Sequence, residues 1–288
     1  MTENSIFRGA ATALITPLTA DGVDYESFGR LIDWQIESGI DGLVICGTSG
    51  EGSTLSDKEH REALDYAIQR ADGRVPMIAG TGSNDIAYGI DLTKFACEIG
   101  YDAVLVVTPY YNKATQNGLI KSYMATADAS TKPCILYNVP SRTGVNIEPA
   151  TYDILADHPM IQGIKEANGN IAKIVETMSI VGDRLDLYSG NDDEIVPLLS
   201  VGGSGVISVL SNVFPKETSL MCKKFFDGDT KGALELKALF SEVNPIPVKA
   251  AMAAMGFCED YLRLPLTPME DAHKEVLLQC MREQGLNV

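Results

Sequence analysis

The chain has 288 residues, of which 45% are hydrophobic, so it can bury a full core as one large α/β domain or two small ones. Its formal net charge of −16 argues against nucleic acid or an anionic membrane surface as a partner. No apolar run reaches the roughly 18 residues that a membrane helix needs. The first residues, MTENSIFRGA, lack the basic and hydrophobic regions of a secretory signal, so we expect a cytoplasmic protein.

The cysteines and histidines give no indication of a metal site or a disulfide. The six cysteines, at positions 46, 97, 134, 222, 258 and 280, form no C-x-x-C pair, and most lie among apolar residues. The three histidines are far apart in the sequence and form no H-x-H or H-E-x-x-H pair. The sequence therefore favours buried free thiols and no bound metal.

Short apolar or β-branched runs recur along the chain, and each is followed by a stretch with helical spacing of its apolar residues. Eight such runs predict strands over residues 11–16, 42–46, 76–80, 103–108, 134–139, 161–165, 185–190 and 205–209. Between the second and third runs, Ser56 and Glu59 have the spacing of a capping box, and the helix that they start is predicted to close on Gly73. Eight such units with nearly continuous apolar strands predict an α/β fold of the (β/α)₈ TIM-barrel class.

An open, doubly wound nucleotide-binding sheet is the main alternative to the barrel. That fold would carry a G-x-G-x-x-G turn after the first strand, and the segment ALITPLTADG has none. The eighth unit ends near Gly228, and the residues after it read as further helices with no linker before them. We therefore predict a barrel over residues 1–228 that carries the active site, with a C-terminal helical segment over residues 229–288 packed on it.

Because active sites of TIM barrels lie at the C-terminal ends of the strands, the residues after each predicted strand are the candidates for chemistry. Thr48 and Ser49 lie in a Gly-rich loop after the second strand, where hydroxyl and N–H groups suit a carboxylate, although a plain turn is equally compatible. Tyr110 and Tyr111 follow the fourth strand, where packing or a subunit contact is the simpler role. Tyr137 lies in the fifth strand and, taken alone, reads as a core tyrosine.

Lys165 ends the sixth predicted strand, where a buried ammonium group would need a partner or would lose its proton. Taken alone, it reads as a surface lysine with a buried stem. Arg142, on a tight loop after the fifth strand, is either solvated or able to bind a carboxylate through two hydrogen bonds. Asp192 and Asp193 follow the seventh strand, where they favour helix capping and disfavour a phosphate.

The candidate residues are more informative together than singly. Lys165, Tyr137 and Thr48 are predicted to lie on one rim of the barrel, with Arg142 nearby and no metal ligands. A lysine in a dry barrel loses its proton easily, and a neutral amine attacks carbonyl groups to form a Schiff base. The combination therefore predicts an aldolase or lyase of the Schiff-base type, with the tyrosine relaying protons.

Six segments resemble the dihydrodipicolinate synthase family, a branch of the pyruvate-dependent class I aldolases that also include N-acetylneuraminate lyase. They are GTSGEGSTLS, VVTPYYNKATQNGL, YNVPSRTG, GIKEANGN, GVISV and NPIPVK, and the resemblance covers essentially the whole chain. It implies a lyase, without a cofactor, that condenses pyruvate with L-aspartate 4-semialdehyde to 4-hydroxy-tetrahydrodipicolinate. That reaction is the entry step to diaminopimelate and lysine biosynthesis.

The resemblance implies catalytic roles for four residues. Lys165 would form the imine with pyruvate, and Tyr137 would relay protons through Thr48 and Tyr111. In this family the second tyrosine, Tyr111 here, reaches the site from the neighbouring subunit. The resemblance therefore implies at least a homodimer, and we expect a homotetramer.

The resemblance also implies the residues that hold the substrates. Thr48 and Ser49 would bind the pyruvate carboxylate, with a serine at 49 where many members of the family carry a second threonine. Arg142 would orient the carboxylate of the semialdehyde, and Gly190 and Ile207 would line the pocket.

A possible lysine-binding regulatory site is implied at the dimer interface. Its residues would be Gly52, Ser53, Asp57, His60, Asn84, Tyr88 and Tyr110. Lysine-sensitive members usually carry a glutamate where this chain has Tyr88, and a cationic effector needs such an acid. We therefore expect weak or absent inhibition by lysine.

Two alternatives to the synthase remain at this stage. A sister lyase would act on a keto-acid sugar and would need hydroxyl-binding residues in place of Arg142. A barrel without catalysis would sense pyruvate or lysine, and its Lys165 would not form an adduct with pyruvate.

Overall fold

A computed structural model of the protein describes residues 5–233 and 244–288. Within those residues, eight parallel strands close into a barrel in sequence order, and the first strand pairs with the second and the eighth. The strands are β1 (Gly9–Ala13), β2 (Gly42–Ile45), β3 (Met77–Gly80), β4 (Ala103–Val107), β5 (Cys134–Asn138), β6 (Ile161–Glu166), β7 (Asp186–Ser189) and β8 (Gly205–Ser208). The predicted TIM barrel is confirmed, and a short hairpin of residues 18–19 and 22–23 follows β1.

The predicted limits of the first strand are wrong, because β1 begins and ends earlier than the apolar run. Gly9 pairs with Gly205, and its N–H donates to the Ser204 carbonyl at 3.1 Å. Leu14 and Ile15 are buried but lie beyond the ladder of strand pairing. The apolar run therefore marks burial, which continues into the loop after pairing has ended.

Helices follow the strands and surround the barrel. They are α1 (Tyr25–Glu37), α2 (Asp57–Ala71), α3 (Ile86–Glu98), α4 (Gln116–Ala129), α5 (Pro140–Thr143), α6 (Pro149–Leu155), α7 (Ile171–Val181), α8 (Ile195–Ser200) and α9 (Pro215–Phe226). The capping box of α2 is confirmed, since Ser56 Oγ accepts from the Glu59 N–H and the Glu59 carboxylate accepts from the Ser56 N–H. The helix ends slightly before the predicted Gly73, because Asp72 already adopts the left-handed conformation at its C-cap.

Three further helices are described after the barrel: α10 (Thr230–Ala233), α11 (Ile246–Ala254) and α12 (Asp271–Glu283). The rest of the helix predicted from TKGALELKALFSEV lies outside the described residues. None of the helices described over 5–233 and 244–288 combines the length and the apolar character needed to cross a membrane.

The barrel interior is filled by side chains below its C-terminal rim. Phe7, just before β1, stacks on Tyr188 with 4.3 Å between the ring centroids. The interior above this pair holds Ala11, Ala13, Val44, Ile78, Leu105, Ile135 and Ile207. Space for a ligand is therefore confined to the rim where the strands end.

Candidate active site

Lys165 and Tyr137 meet on adjacent strands of the barrel. They are partners in the register between β5 and β6, and Lys165 Nζ lies 4.1 Å from the centroid of the Tyr137 ring. Only 4% of Lys165 is exposed, although its side chain ends in an amine. Burial lowers the pKa of Lys165 to about 7, with Asp192 opposing this change and the positive charge of Arg142 adding to it. A large fraction of the amine is therefore neutral near pH 7, as a nucleophile requires.

Thr48 connects the loop after β2 to Tyr137. Burial raises the pKa of the Tyr137 phenol, while the positive charge of Arg142 and a hydrogen bond with the Thr48 side chain act in the opposite direction. Thr48 itself is exposed to the rim, so its hydroxyl can contact both Tyr137 and a ligand. The structure thus brings Lys165, Tyr137 and Thr48 together as the sequence predicted.

Asn244 joins Ser49 to Arg142, and sequence reasoning assigned it no role. Its Nδ2 donates to the Ser49 hydroxyl at 3.0 Å, and its carbonyl accepts from Arg142 Nη2 at 3.0 Å. Ser49 is buried, whereas Arg142, in α5, is exposed at the mouth of the site. The segment NPIPVK carried part of the resemblance, but nothing in its letters shows that it returns to a loop 195 residues earlier.

Lys249, in the same C-terminal segment, forms a buried ion pair with Glu51. The Lys249 Nζ to Glu51 Oε1 distance is 2.8 Å, and both side chains are almost completely buried. Lys249 also donates to the Tyr261 carbonyl, and Glu51 Oε2 accepts from the Arg263 N–H. Because Glu51 follows Ser49 by two residues, this ion pair holds the loop that carries Thr48 and Ser49.

Gly190 lies directly against the Lys165 side chain. A Cβ atom at Gly190 would come within 3.2 Å of Lys165 Cε, 3.0 Å of the Glu166 carbonyl and 2.8 Å of Ala167 Cβ. Only glycine fits here without moving the lysine. Ile207, on β8, is fully buried in the barrel interior, so both predicted pocket residues lie in the barrel wall.

Asp192 does not cap its own helix, contrary to the sequence prediction. Residues 192–194 form a 3₁₀ turn without a side-chain cap, and α8 also begins without one. Asp192 Oδ2 instead accepts from the N–H groups of Val209 at 3.1 Å and Leu210 at 2.9 Å, just after β8. Many TIM barrels bind a phosphate with the loops after strands 7 and 8. Here a carboxylate of the chain occupies these donors, which agrees with the prediction that a phosphate is disfavoured.

Glu166 is a second buried acid that sequence reasoning missed. It follows Lys165 but faces the other side of β6, where it accepts from Asn138 Nδ2 at 2.9 Å, Tyr152 Oη at 3.2 Å and the Asn168 N–H at 3.0 Å. Burial raises its pKa to about 7. The sequence could have indicated this network, because it places an acid at the end of an apolar strand. The hydrogen bonds of Glu166 fix β5 and β6 beside Tyr137 and Lys165.

Tyr111 lies away from Tyr137 within the chain. It is 87% exposed and has a φ of +73°, a left-handed conformation that is unusual for a bulky residue. Tyr110 is half-buried and lines a cavity of about 580 Å³. The two adjacent tyrosines therefore have different surroundings.

That cavity joins the candidate catalytic residues to the candidate regulatory ones. Thr48, Tyr137 and Arg142 line one part of it. The other part is lined by Gly52, Ser53, Asp57, His60, Asn84, Tyr88 and Tyr110. Thr48, Tyr137 and Arg142 thus share one continuous space with the candidate regulatory residues, whereas Lys165 is not among the residues that line it.

The carboxylate in this part of the cavity already has partners. Asp57 accepts from Arg61 Nε at 2.9 Å and is hydrogen-bonded to the Tyr88 hydroxyl. His60 is buried with Nε2 3.0 Å from the Gly80 carbonyl, and burial lowers its pKa, which favours the neutral ring. No group of three or more His, Cys, Asp or Glu side chains suited to a metal occurs among residues 5–233 and 244–288.

Comparison with known proteins identifies the family. The model of the dihydrodipicolinate synthetase family matches residues 6–284. The 4-hydroxy-tetrahydrodipicolinate synthase of Lachnoclostridium phytofermentans is 51% identical over 292 residues, covering 98% of this chain and 99% of that protein.

Solved structures agree with this match. Dihydrodipicolinate synthase from Aquifex aeolicus has a TM-score of 0.95 at 40% identity, covering 97% of this chain and 99% of that one. The chloride-inhibited dihydrodipicolinate synthase from Acinetobacter baumannii, solved in complex with pyruvate, has a TM-score of 0.93 at 40% identity, with 97% and 99% covered. The chain therefore belongs to the dihydrodipicolinate synthetase family.

Proposed function

We propose that this protein is a 4-hydroxy-tetrahydrodipicolinate synthase, a lyase that condenses pyruvate with L-aspartate 4-semialdehyde. The observation that carries the proposal is the buried amine of Lys165 beside the Tyr137 ring, with a pKa of about 7. The pyruvate named for the Acinetobacter baumannii structure and the relatives at about half identity support the same substrates. The reaction serves diaminopimelate and lysine biosynthesis, in the cytoplasm.

The chemistry proceeds through a Schiff base on Lys165 and uses no other cofactor. The neutral amine attacks the pyruvate ketone, the carbonyl oxygen leaves as water, and the nitrogen keeps one proton and a positive charge. Loss of a methyl proton then gives an enamine, whose carbon attacks the aldehyde of the semialdehyde. Tyr137 relays protons through Thr48, and the substrate amine finally displaces Lys165 while the ring closes.

The two carboxylates of the substrates are held by different groups. Thr48 and Ser49 hold the pyruvate carboxylate with hydroxyl and backbone N–H groups. Arg142, at the exposed mouth, binds the semialdehyde carboxylate through its guanidinium group. Gly190 and Ile207 line the pocket between them.

A homo-oligomer completes the site, with a dimer as the minimum and a tetramer as the expected state. Tyr111 supports the dimer, because a bulky aromatic residue in a left-handed conformation is almost fully exposed in the single chain. In a partner's site, its hydroxyl would join the proton relay of Thr48 and Tyr137. The exposed apolar side chains of Ile171 and Val175, four residues apart on α7, support a second contact between subunits.

Mixing two variants, each of which lacks a different residue of the shared site, tests whether the site is built from two subunits. Neither Lys165→Met nor Tyr111→Phe is expected to form a fully functional site alone. Mixed dimers would contain one site with both native residues, so refolding the two together should restore part of the activity. Activity of Tyr111→Phe equal to that of the unmodified protein would argue against the role of Tyr111.

The division of the chain into a barrel of residues 1–228 and a packed segment of residues 229–288 is also proposed. The buried ion pair between Glu51 of the barrel and Lys249 of the segment supports packing of the segment on the barrel. An independent domain would keep its own charged side chains away from such a buried contact. Asn244 and Lys249 thus tie the described part of this segment to the substrate site as well as to the fold.

A coupled assay with pyruvate and L-aspartate 4-semialdehyde tests the proposed function. We expect turnover, with Arg142→Ala raising the KM for the semialdehyde by about tenfold or more and changing the KM for pyruvate much less. Unchanged kinetics in Arg142→Ala would contradict the role of Arg142, and absence of turnover in the unmodified protein would instead favour a lyase for a keto-acid sugar. Added lysine is expected to inhibit weakly or not at all, because Asp57 is already engaged by Arg61 and Tyr88.

The rate should fall on the acid side of neutrality. Below the pKa of Lys165, about 7, the amine is protonated and cannot attack the ketone, so kcat/KM for pyruvate should drop about tenfold per pH unit. Initial rates between about pH 5.5 and pH 8.5 give the midpoint. A constant kcat/KM across that range would contradict the role of Lys165.

A further inference from the structure

Asp192 is fixed in the wall of the site with one oxygen left over. Its Oδ2 accepts from two backbone N–H groups after β8, as described above. Its Oδ1 is buried without a hydrogen bond of normal geometry among the described residues, and the Ser208 side chain is the one polar side chain that acts on the carboxylate from close by. A buried carboxylate oxygen without a partner is unfavourable unless a charge or a ligand compensates it.

Asp192 lies close enough to Lys165 for the charges of the two side chains to interact. Asp192 lies two residues after Gly190, where an added Cβ atom would come within 3.2 Å of Lys165 Cε. The negative charge of Asp192 and the positive charge of Lys165 stabilise each other across the rim. The two backbone donors hold the carboxylate in place, so it does not have to rearrange as charge develops on the nitrogen.

The other charged or titratable groups around the pair have different roles. Tyr137 faces Lys165 with its ring, and Arg142 contributes positive charge. Glu166 points away, to Asn138 and Tyr152. On the side of Asp192, the nearby titratable group is the thiol of Cys222 in α9, whose pKa burial raises to about 12. Among residues 5–233 and 244–288, Asp192 is therefore the anion that acts on the nitrogen of Lys165.

We infer that Asp192 is a positioning residue that supplies the counter-charge for the protonated imine between Lys165 and pyruvate. This inference rests on the proposed function. The imine nitrogen carries its positive charge from the loss of water until the methyl proton leaves. During that time, the negative charge of Asp192 stabilises the protonated imine. The negative charge of Asp192 also raises the pKa of the free Lys165 amine. Removing that charge should therefore make the amine easier to deprotonate but leave the protonated imine less stable.

The test is Asp192→Asn, with Asp193→Asn as the matched control. Asparagine keeps an oxygen for the N–H groups of Val209 and Leu210 but removes the charge. Asp193 is the exposed neighbour and is no part of the site, so its variant changes the net charge of the protein equally. Trapping with pyruvate and cyanoborohydride, read by mass spectrometry between about pH 5.5 and pH 8.5, gives the midpoint for imine formation.

In Asp192→Asn we expect the midpoint to move about 0.5 to 1 pH unit lower, while kcat at high pH falls about tenfold. Asp193→Asn should leave both unchanged. A fall in kcat with an unchanged midpoint would show a merely structural role and overturn the inference, as would unchanged kinetics. If Asp192→Asn does not fold, Asp192→Ser must show the same shift. Failure of the unmodified protein to trap pyruvate would refute the proposed function itself.

Discussion

Replacing Lys165 by methionine is expected to abolish condensation, with a fall in kcat/KM of at least about a thousandfold. Methionine has a similar length and suits the buried position, so the fold should be retained. Indeed, loss of a buried amine removes a desolvation penalty, and we expect unchanged or increased thermal stability. The rate comes from the coupled assay, and the adduct from mass spectrometry after borohydride treatment with pyruvate.

Lys173→Met is the control for this experiment. Lys173 lies on α7 with 43% of its side chain exposed, where it pairs with Glu176. Lys173→Met makes the same substitution outside the site, so this variant should keep the condensation rate and the pyruvate adduct on Lys165. Residual condensation or a pyruvate adduct elsewhere in Lys165→Met would show that another amine carries the reaction.

Replacing Lys249 by methionine is expected to have the largest effect on stability. It leaves Glu51 buried without its partner, and breaking a buried ion pair in this way costs about 3–5 kcal/mol of unfolding free energy. The loop with Thr48 and Ser49 should loosen as well, which would raise the KM for pyruvate. Urea unfolding and the coupled assay measure the two effects.

The double variant Glu51→Gln with Lys249→Met separates the charge from the packing. It removes both charges, so it should recover a substantial part of the stability lost in Lys249→Met alone. Lys216→Met, at an exposed position in α9, is the control for the loss of a lysine. Equal destabilisation in the single and double variants would mean that packing, rather than the ion pair, holds the loop.

The sequence was sufficient to predict the barrel and the rim that carries Lys165. Strand and helix periodicities are local, and counting strands placed Lys165 on the sixth of eight. Tyr137 followed for the same reason, since adjacent strands of a barrel bring neighbouring ends together. The capping box of Ser56 and Glu59 was equally accessible, because its two residues lie within one turn of helix.

The residues that sequence reasoning missed depend on tertiary contacts. Asp192 has the appearance of a helix cap, and only the three-dimensional path of β8 shows that the N–H groups of Val209 and Leu210 are its partners. Asn244 and Lys249 lie nearly 200 residues from Ser49 and Glu51. The limits of β1 were displaced because an apolar pattern reports burial and does not show where pairing stops.

The ties from Asn244 and Lys249 to the loop after β2 also bear on how the enzyme matures during synthesis. The loop with Thr48 and Ser49 leaves the ribosome long before the residues that hold it, because 195 residues separate Ser49 from Asn244. Lys165 is translated in between. An ordered pocket around the reactive amine can therefore form only when Asn244 and Lys249, in the last sixth of the chain, have emerged, so a shorter nascent chain has no complete site to capture keto acids.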